Sequence, residues 1–107
     1  MTESEAKRYY EQRPKIYPED ERFGQMMCCA VRYALGRMSY VVHDVCDYIT
    51  PLLPVLSTHS LQNMYRDITE RAEVQDLGME IDAENWMTLR LHIIRELKER
   101  GEFNACC

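Results

Sequence analysis

The segment Ala30–Ile49, AVRYALGRMSYVVHDVCDYI, carries the pattern that decides the fold of this chain. Apolar residues recur at helical spacing up to Gly36, a short basic turn follows, and a second helical stripe begins after Ser39. Glycine readily adopts the left-handed conformation that ends a helix, and serine is a frequent N-cap. The segment therefore predicts two packed helices joined by a tight turn, Gly36–Ser39, which we call the elbow.

Apolar spacing and capping residues predict further helices on both sides of the elbow. The predicted helices run from Ser4 to about Gln12 with Thr2 or Ser4 as cap, from about Pro18 to Leu35, and from the N-cap Ser39 to about Thr50. A fourth is capped by Ser57 or Thr58 and runs to about Ala72, and the last is capped by Asp82 and stopped by Gly101.

Two regions leave the secondary structure open. The β-branched residues of 41–49 would also suit a strand. Pro51 and Pro54 interrupt the chain, so 51–56 should form an irregular or short helical cover over the core. The prediction is an all-α fold: one domain over 1–107, a compact bundle of four to five helices, with frayed ends at 1–13 and 101–107.

Composition restricts the classes of function. Glycine and proline number four each, which favours long regular elements, and a net charge of −5 disfavours a sequence-independent grip on nucleic acid. The predicted helix after the elbow carries Asp44 and Asp47 on its polar side, so we expect no direct DNA binding. An odd number of cysteines, five, makes no disulfide framework, and no C-x-x-C is present. Because the chain shows neither a signal peptide nor a membrane span, we expect a soluble cytoplasmic protein.

Most residues with possible chemistry have an ordinary structural interpretation. Helical spacing assigns Met26, Met27, Met38, Met64, Met79 and Met87 to core filling, and Trp86 to a core anchor. Cys46 with His43 one turn before it could form a nucleophile and base, but Cys46 reads better as a small hydrophobe. The pairs His43/Asp47 and His92/Glu96 could each supply two metal ligands, yet no metal motif accompanies them. We therefore predict no metal, no cofactor and no catalytic residue. The roles of Cys28, Cys29, Cys106 and Cys107 stay open.

The elbow is the sharpest functional signal. A helix N-terminus attracts anions through its free N–H groups and its dipole, and arginine with tyrosine is a pairing that grips phosphate and stacks on a base. We therefore predict a ligand site formed by Arg32, Tyr33, Arg37, Ser39, Tyr40, His43 and Arg90. The alternative is that Arg37 and Ser39 only cap their helices.

Arg90 lies on the apolar face of the last predicted helix, among residues such as Trp86 and Ile93. A charge on that face must be paired, reach solvent or meet a ligand. The structural interpretation is a salt bridge to an acid such as Asp44, Asp47 or Asp67; the functional one is an arginine that faces a pocket or an oligomer interface.

Three segments, PKIYPEDERF (14–23), CAVRYALGRMSYVVHDVCDYI (29–49) and DAENWMTLRLHI (82–93), resemble small accessory proteins of bacteriophages and mobile elements. The resemblance implies an accessory protein rather than a metabolic enzyme, with antagonism of host defence as a frequent role.

Together these features predict a non-enzymatic binding protein that antagonises a host defence system. It would either sequester a nucleotide-type anionic ligand in an oligomer's Arg/Tyr-lined pocket or cover a host defence protein with an acidic helical face. A homo-oligomer is expected. The alternatives are a structural or regulatory helical oligomerisation module and, less favoured, a Cys/His enzyme.

Overall fold

The chain folds into α-helices, as seen in a computed structural model that describes residues 2–12, 21–37 and 39–103, without the side chains of 9–12, 39 and 40. The elements are α1 (Glu3–Gln12), α2 (Glu21–Ala34), α3 (Ser39–Ile49), a 3-10 helix (Thr50–Val55), α4 (Thr58–Glu73) and α5 (Glu80–Glu99). The described residues contain no strand, so the all-α prediction is confirmed and the strand alternative over 41–49 is wrong. The predicted start of α2 at Pro18 lies outside the described residues.

Local capping explains where two of the helices begin. The Thr2 hydroxyl accepts the backbone N–H of Glu5 at 3.2 Å, and the Glu5 carboxylate accepts the N–H of Thr2 at 3.3 Å. This reciprocal pair is a capping box. Ser57 caps α4 by accepting the N–H of Ser60 at 3.1 Å. Both caps were among the predicted alternatives.

The core is formed by α2 to α5 and the 3-10 helix, with α5 at its centre. Trp86, Ile93 and Leu97 of α5 are almost completely buried, and they pack with the inward residues of the other elements: Val31, Ala34, Val42, Ile49, Leu53, Leu61, Met64 and Ile68. In α1, none of residues 3–8, whose side chains the structure describes, contributes to this core. The predicted apolar stripes and the core position of Trp86 are therefore confirmed.

Helices α2 and α4 approach closely where glycine faces serine. A Cβ atom at Gly24 would lie 2.3 Å from Oγ of Ser60, so a larger residue there would require the Ser60 side chain to shift. The Cys28 thiol donates to the Ser60 carbonyl at 3.4 Å along the same contact.

Two sequence predictions about the core are corrected by the structure. Asp82 is not the N-cap of α5: the cap is Met79, and Asp82 lies in the first turn, completely buried, with Oδ2 accepting the Met79 N–H at 3.4 Å.

Met26, Met79 and Met87 are exposed by 49%, 65% and 37%, because they lie off the inward stripe or on the connector between α4 and α5, so core filling is wrong for them. Met64 is buried as predicted, and Met38 lies outside the described residues.

The C-terminal end of α5 is held by Arg100 and reversed at Gly101. The Arg100 guanidinium donates to the carbonyls of Leu53 and Pro54, to the Thr58 hydroxyl and to the Glu96 carboxylate at 3.1–3.3 Å. Gly101 has φ +70°, and the N–H of Glu102 returns to the Leu97 carbonyl at 2.8 Å. This is the Schellman arrangement, and it directs residues 102–103 back along the bundle towards α4.

Candidate functional site

The side chain of Arg37, in the elbow, binds to groups at the end of α2. Nε of Arg37 donates to the Tyr33 carbonyl at 3.1 Å, and the guanidinium lies 4.9 Å from the centre of the Tyr33 ring. Arg37 thus caps the end of α2 and stacks on a neighbour one turn back, which matches the structural alternative for this residue. The side chains of Ser39 and Tyr40, two of the predicted ligand residues, lie outside the described residues.

The connector between α4 and α5 brings carboxylates to the elbow. Asp76 is paired with Arg71, and its Oδ1 would lie 3.6 Å from a Cβ at Gly36. A Cβ at Gly78 would lie 3.1 Å from Oδ2 of the buried Asp82 and 3.3 Å from the Arg37 carbonyl. The protein's own acids therefore stand where an anionic ligand would approach.

Arg32 projects from α2 and is bound to α4. Its Nε and terminal nitrogen both lie 3.3 Å from Oδ2 of Asp67, although the Arg32 side chain is 64% exposed. Arg32 and Arg71 line a shallow depression of about 260 Å³ together with Asp67 and Glu70. Each arginine there already has a carboxylate partner, so the depression offers little net positive charge.

Arg90 does not make the predicted salt bridge. Its Nε donates to the Thr69 hydroxyl at 2.9 Å, a terminal nitrogen donates to the Tyr65 hydroxyl at 3.2 Å, and the guanidinium lies 4.9 Å from the Tyr65 ring centre. In the described part of the chain no carboxylate pairs with it. Asp44, Asp47 and Asp67 are not its partners, because Arg90 faces the hydroxyl-bearing flank of α4.

The predicted ligand residues do not meet in one pocket of the described chain. Asp67 lies two residues from both Tyr65 and Thr69, and about 100° per residue puts it on the opposite flank of α4. Arg32 and Arg90 therefore contact opposite sides of the same helix. Among the predicted ligand residues whose side chains are described, Arg37 contacts Tyr33, one helical turn before it.

His43 and Cys46 point to different environments on α3. His43 is exposed and lies 3.1 Å from Asp47, the one-turn pair that the sequence suggested, whereas the His92/Glu96 pair is replaced by Glu96 with Arg100. Cys46 is buried, and burial, with Asp47 and Asp82 nearby, raises its pKa to about 12. A thiol with that pKa stays protonated at neutral pH, which is the opposite of nucleophile activation. Within the described residues no three His, Cys, Asp or Glu side chains form a metal-binding group.

The larger concavity lies elsewhere, along the flank of α4 that faces the C-terminal half of α5. It encloses about 470 Å³, and its walls combine the apolar faces of Tyr65, Leu97 and Phe103 with the carboxylates of Glu70, Glu73 and Glu102. We call this concavity the acidic groove.

The aromatic pair gives the acidic groove a defined wall. The rings of Tyr65 and Phe103 meet edge to face with 5.5 Å between their centres. The Lys98 ammonium lies 5.6 Å from the Phe103 ring centre, and the Gln62 amide donates to the Glu102 carbonyl at 3.4 Å. These contacts hold the segment after Gly101 against α4.

The carboxylates of the acidic groove are free. Glu70, Glu73 and Glu102 are exposed, and none of their carboxylates has a hydrogen-bond or ion-pair partner among residues 2–12, 21–37 and 39–103. The groove also contains Arg66, whose guanidinium donates to the Asn63 side chain at 2.7 Å. The lining therefore holds three carboxylates and one guanidinium, while two further cations, Arg90 and Lys98, lie against its aromatic wall.

Sequence reasoning missed the acidic groove. Its residues come from 62–73 and 97–103, which are far apart in the chain, and the glutamates resemble an ordinary solvated helix face. One signal was available: Phe103 is a large apolar residue two positions after a helix-stopping glycine, and such a residue often folds back onto its helix or a neighbouring one.

Comparisons with protein-family models, with curated proteins and with solved structures found no match for this chain. Its function therefore has to be argued from the geometry of its own surfaces. No described helix is both long and apolar enough to cross a membrane.

Proposed function

We propose that this protein is a non-enzymatic binding protein that acts by covering a basic region of another protein. The observation that carries the proposal is the lining of the acidic groove, where the carboxylates of Glu70, Glu73 and Glu102 have no partner among the described residues and lie beside an apolar wall. Such a surface complements a cationic partner and repels a phosphate.

The positions of the arginines favour protein covering over nucleotide sequestration. Arg32 is paired with Asp67, Arg37 with its own helix end, and Arg90 with neutral hydroxyls on the other flank of α4. A nucleotide pocket within one chain would need these groups to converge on one space. The host-defence role remains a proposal that rests on the resemblance to phage accessory proteins, with the acidic surface as its physical basis.

The proposal is tested with two classes of probe on the purified protein. Calorimetric titration with a lysine- and leucine-containing peptide should show saturable binding that weakens as salt is raised, because exposed charges are screened. A peptide of the same length with glutamate in place of lysine should not bind. Binding of a cyclic dinucleotide or ADP-ribose instead, or no binding of either peptide, would overturn the proposal.

A second candidate function, the oligomerisation module, is favoured by a separate observation. On and beside the connector between α4 and α5, Val74, Met79 and Ile81 are exposed by 70%, 65% and 58%. Exposed apolar side chains that occur close together often mark a contact surface.

Light scattering tests this second function through Ile81→Asp, with Thr88→Asp on the same helix as the control. An oligomer that Ile81→Asp alone converts to monomer would support the module. A monomeric parent protein would exclude it.

A further inference from the structure

We infer that the acidic groove binds a peptide segment of the partner that carries an apolar side chain next to a lysine or arginine. The apolar side chain would pack on Tyr65, Leu97 and Phe103, and the cation would pair with Glu70, Glu73 and Glu102. This inference rests on the proposed function and specifies the ligand class of its site.

The wall of the acidic groove sets the apolar part of the ligand. Leu97 is 1% exposed and forms the base, while the half-buried rings of Tyr65 and Phe103 stand edge to face above it. A concavity of about 470 Å³ falls within the range of about 300 to 1,000 Å³ typical of ligand sites. It has room for a few side chains of a segment rather than for a flat contact alone.

The charges around the acidic groove determine where the cationic side chain of the ligand would bind. The protein's own cations already stand near both rings, Arg90 near Tyr65 and Lys98 near Phe103. A ligand cation placed on those rings would meet like charge, so it is directed to the free carboxylates at the rim. The apolar neighbour of that cation then faces the rings.

Other ligand classes fit this site poorly. A phosphate at the rim would approach three carboxylates, and the nearby cations Arg90 and Lys98 lie against the rings rather than at the rim. A bound divalent metal would need a compact set of ligands, and the described residues contain no such set. A basic peptide alone satisfies both the apolar wall and the acidic rim.

The test compares variants of the acidic groove with matched variants elsewhere, using a short peptide with leucines one helical turn apart flanked by lysines. Phe103→Ala should weaken its binding about tenfold or more, as expected for a central aromatic contact, whereas Tyr48→Ala, an exposed tyrosine on α3, should not. Glu70→Gln with Glu73→Gln should weaken binding about two- to fivefold per carboxylate, whereas Asp44→Asn with Glu84→Gln should not.

Variants are first checked by thermal unfolding. Because the carboxylates of Glu70 and Glu73 bind no other described residue, their neutralisation should preserve the fold and keep the charge test interpretable if Phe103→Ala loosens the end of α5. A peptide in which serine replaces the leucines should lose binding to the parent protein. Equal binding of the peptide to all variants would overturn the inference while leaving the proposed function in place. Failure of the parent protein to bind the peptide would overturn both.

Discussion

The elbow and the acidic groove differ in how far their polar groups are already satisfied. At the elbow, Arg37 caps its own helix, and Asp76 is held by Arg71. In the acidic groove, Glu70, Glu73 and Glu102 have no partner among the described residues. A cluster of charged residue types therefore says little about binding until the partners of each charge are known.

The largest loss of stability should come from replacing Arg100. Its guanidinium holds the C-terminal end of α5, and that end forms part of the acidic groove. Arg100→Ala leaves the carbonyls of Leu53 and Pro54 without their donor and should lower the free energy of unfolding by about 2–4 kcal/mol. Arg95→Ala, an exposed position on the same helix, should change it by less than about 0.5 kcal/mol. Urea denaturation measures both, and equal effects would show that the Arg100 contacts contribute nothing.

The next largest loss of stability should come from replacing Gly78, which lies on the connector between α4 and α5 and packs against the elbow. Gly78 has φ +92°, and an added Cβ would be 3.1 Å from Asp82 and 3.3 Å from the Arg37 carbonyl. Gly78→Ala should therefore destabilise by about 2–3 kcal/mol, through backbone strain and the close approach together.

Gly101→Ala separates those two causes. Gly101 also has positive φ, but nothing lies within 4 Å of its added Cβ, so the loss should be about 1 kcal/mol from the backbone alone. If both glycine variants lose the same stability in denaturant titrations, the connector does not press on the elbow.

The buried thiol of Cys46 should make the stability of the protein depend on pH in the alkaline range. The pKa of Cys46 is raised from 9.0 to about 12, first by burial and then by Asp47 and Asp82. The unfolded thiol loses its proton from pH 9 upwards while the folded one keeps it, so stability is full below pH 9 and falls as the pH rises to 12.

Between pH 9 and 10 the loss from this thiol should be about 1 kcal/mol. Cys46→Ala should be less stable overall yet show a shallower decline in that interval, as followed by thermal unfolding in matched buffers. An unchanged slope would mean that Cys46 is accessible to solvent in the native state.

The smallest expected effect comes from comparing carboxylates without a partner with carboxylates that form ion pairs. Glu70→Gln with Glu73→Gln should change stability by less than about 0.5 kcal/mol, since neither side chain has a partner in the part of the chain that the structure describes. Asp67→Asn with Asp76→Asn removes acceptors from Arg32 and Arg71 and should cost about 0.2–1 kcal/mol for each pair at low salt. If chemical denaturation shows the reverse order, the assignment of free and engaged acids is wrong.

Local signals in the sequence predicted most of the scaffold. The Thr2 and Ser57 caps, the prolines after α3 and the stripe that buries Trp86 each depend on neighbours within about one turn, and each is found in the structure. Asp82 was misplaced because a carboxylate at the third position of α5 can reach back to the cap and resemble it in sequence.

The candidate site was much less accessible to sequence reasoning. The partners of Arg32 and Arg90 come from α4, and the choice of flank depends on how the helices pack. The acidic groove likewise requires α4 and the chain after α5 to meet. Periodicity describes one helix at a time, so it does not specify which charged faces end up together.

The contacts of Arg90 have a consequence for what the acidic groove presents to a ligand. A guanidinium only donates hydrogen bonds, so the oxygens of Tyr65 and Thr69 accept from it and the proton of each hydroxyl is left to turn outward. Both residues line the groove, which therefore offers two O–H donors as well as its carboxylates. A main-chain carbonyl of a bound segment could accept a hydrogen bond from these hydroxyls. That part of the binding would not depend on the side chains of the segment.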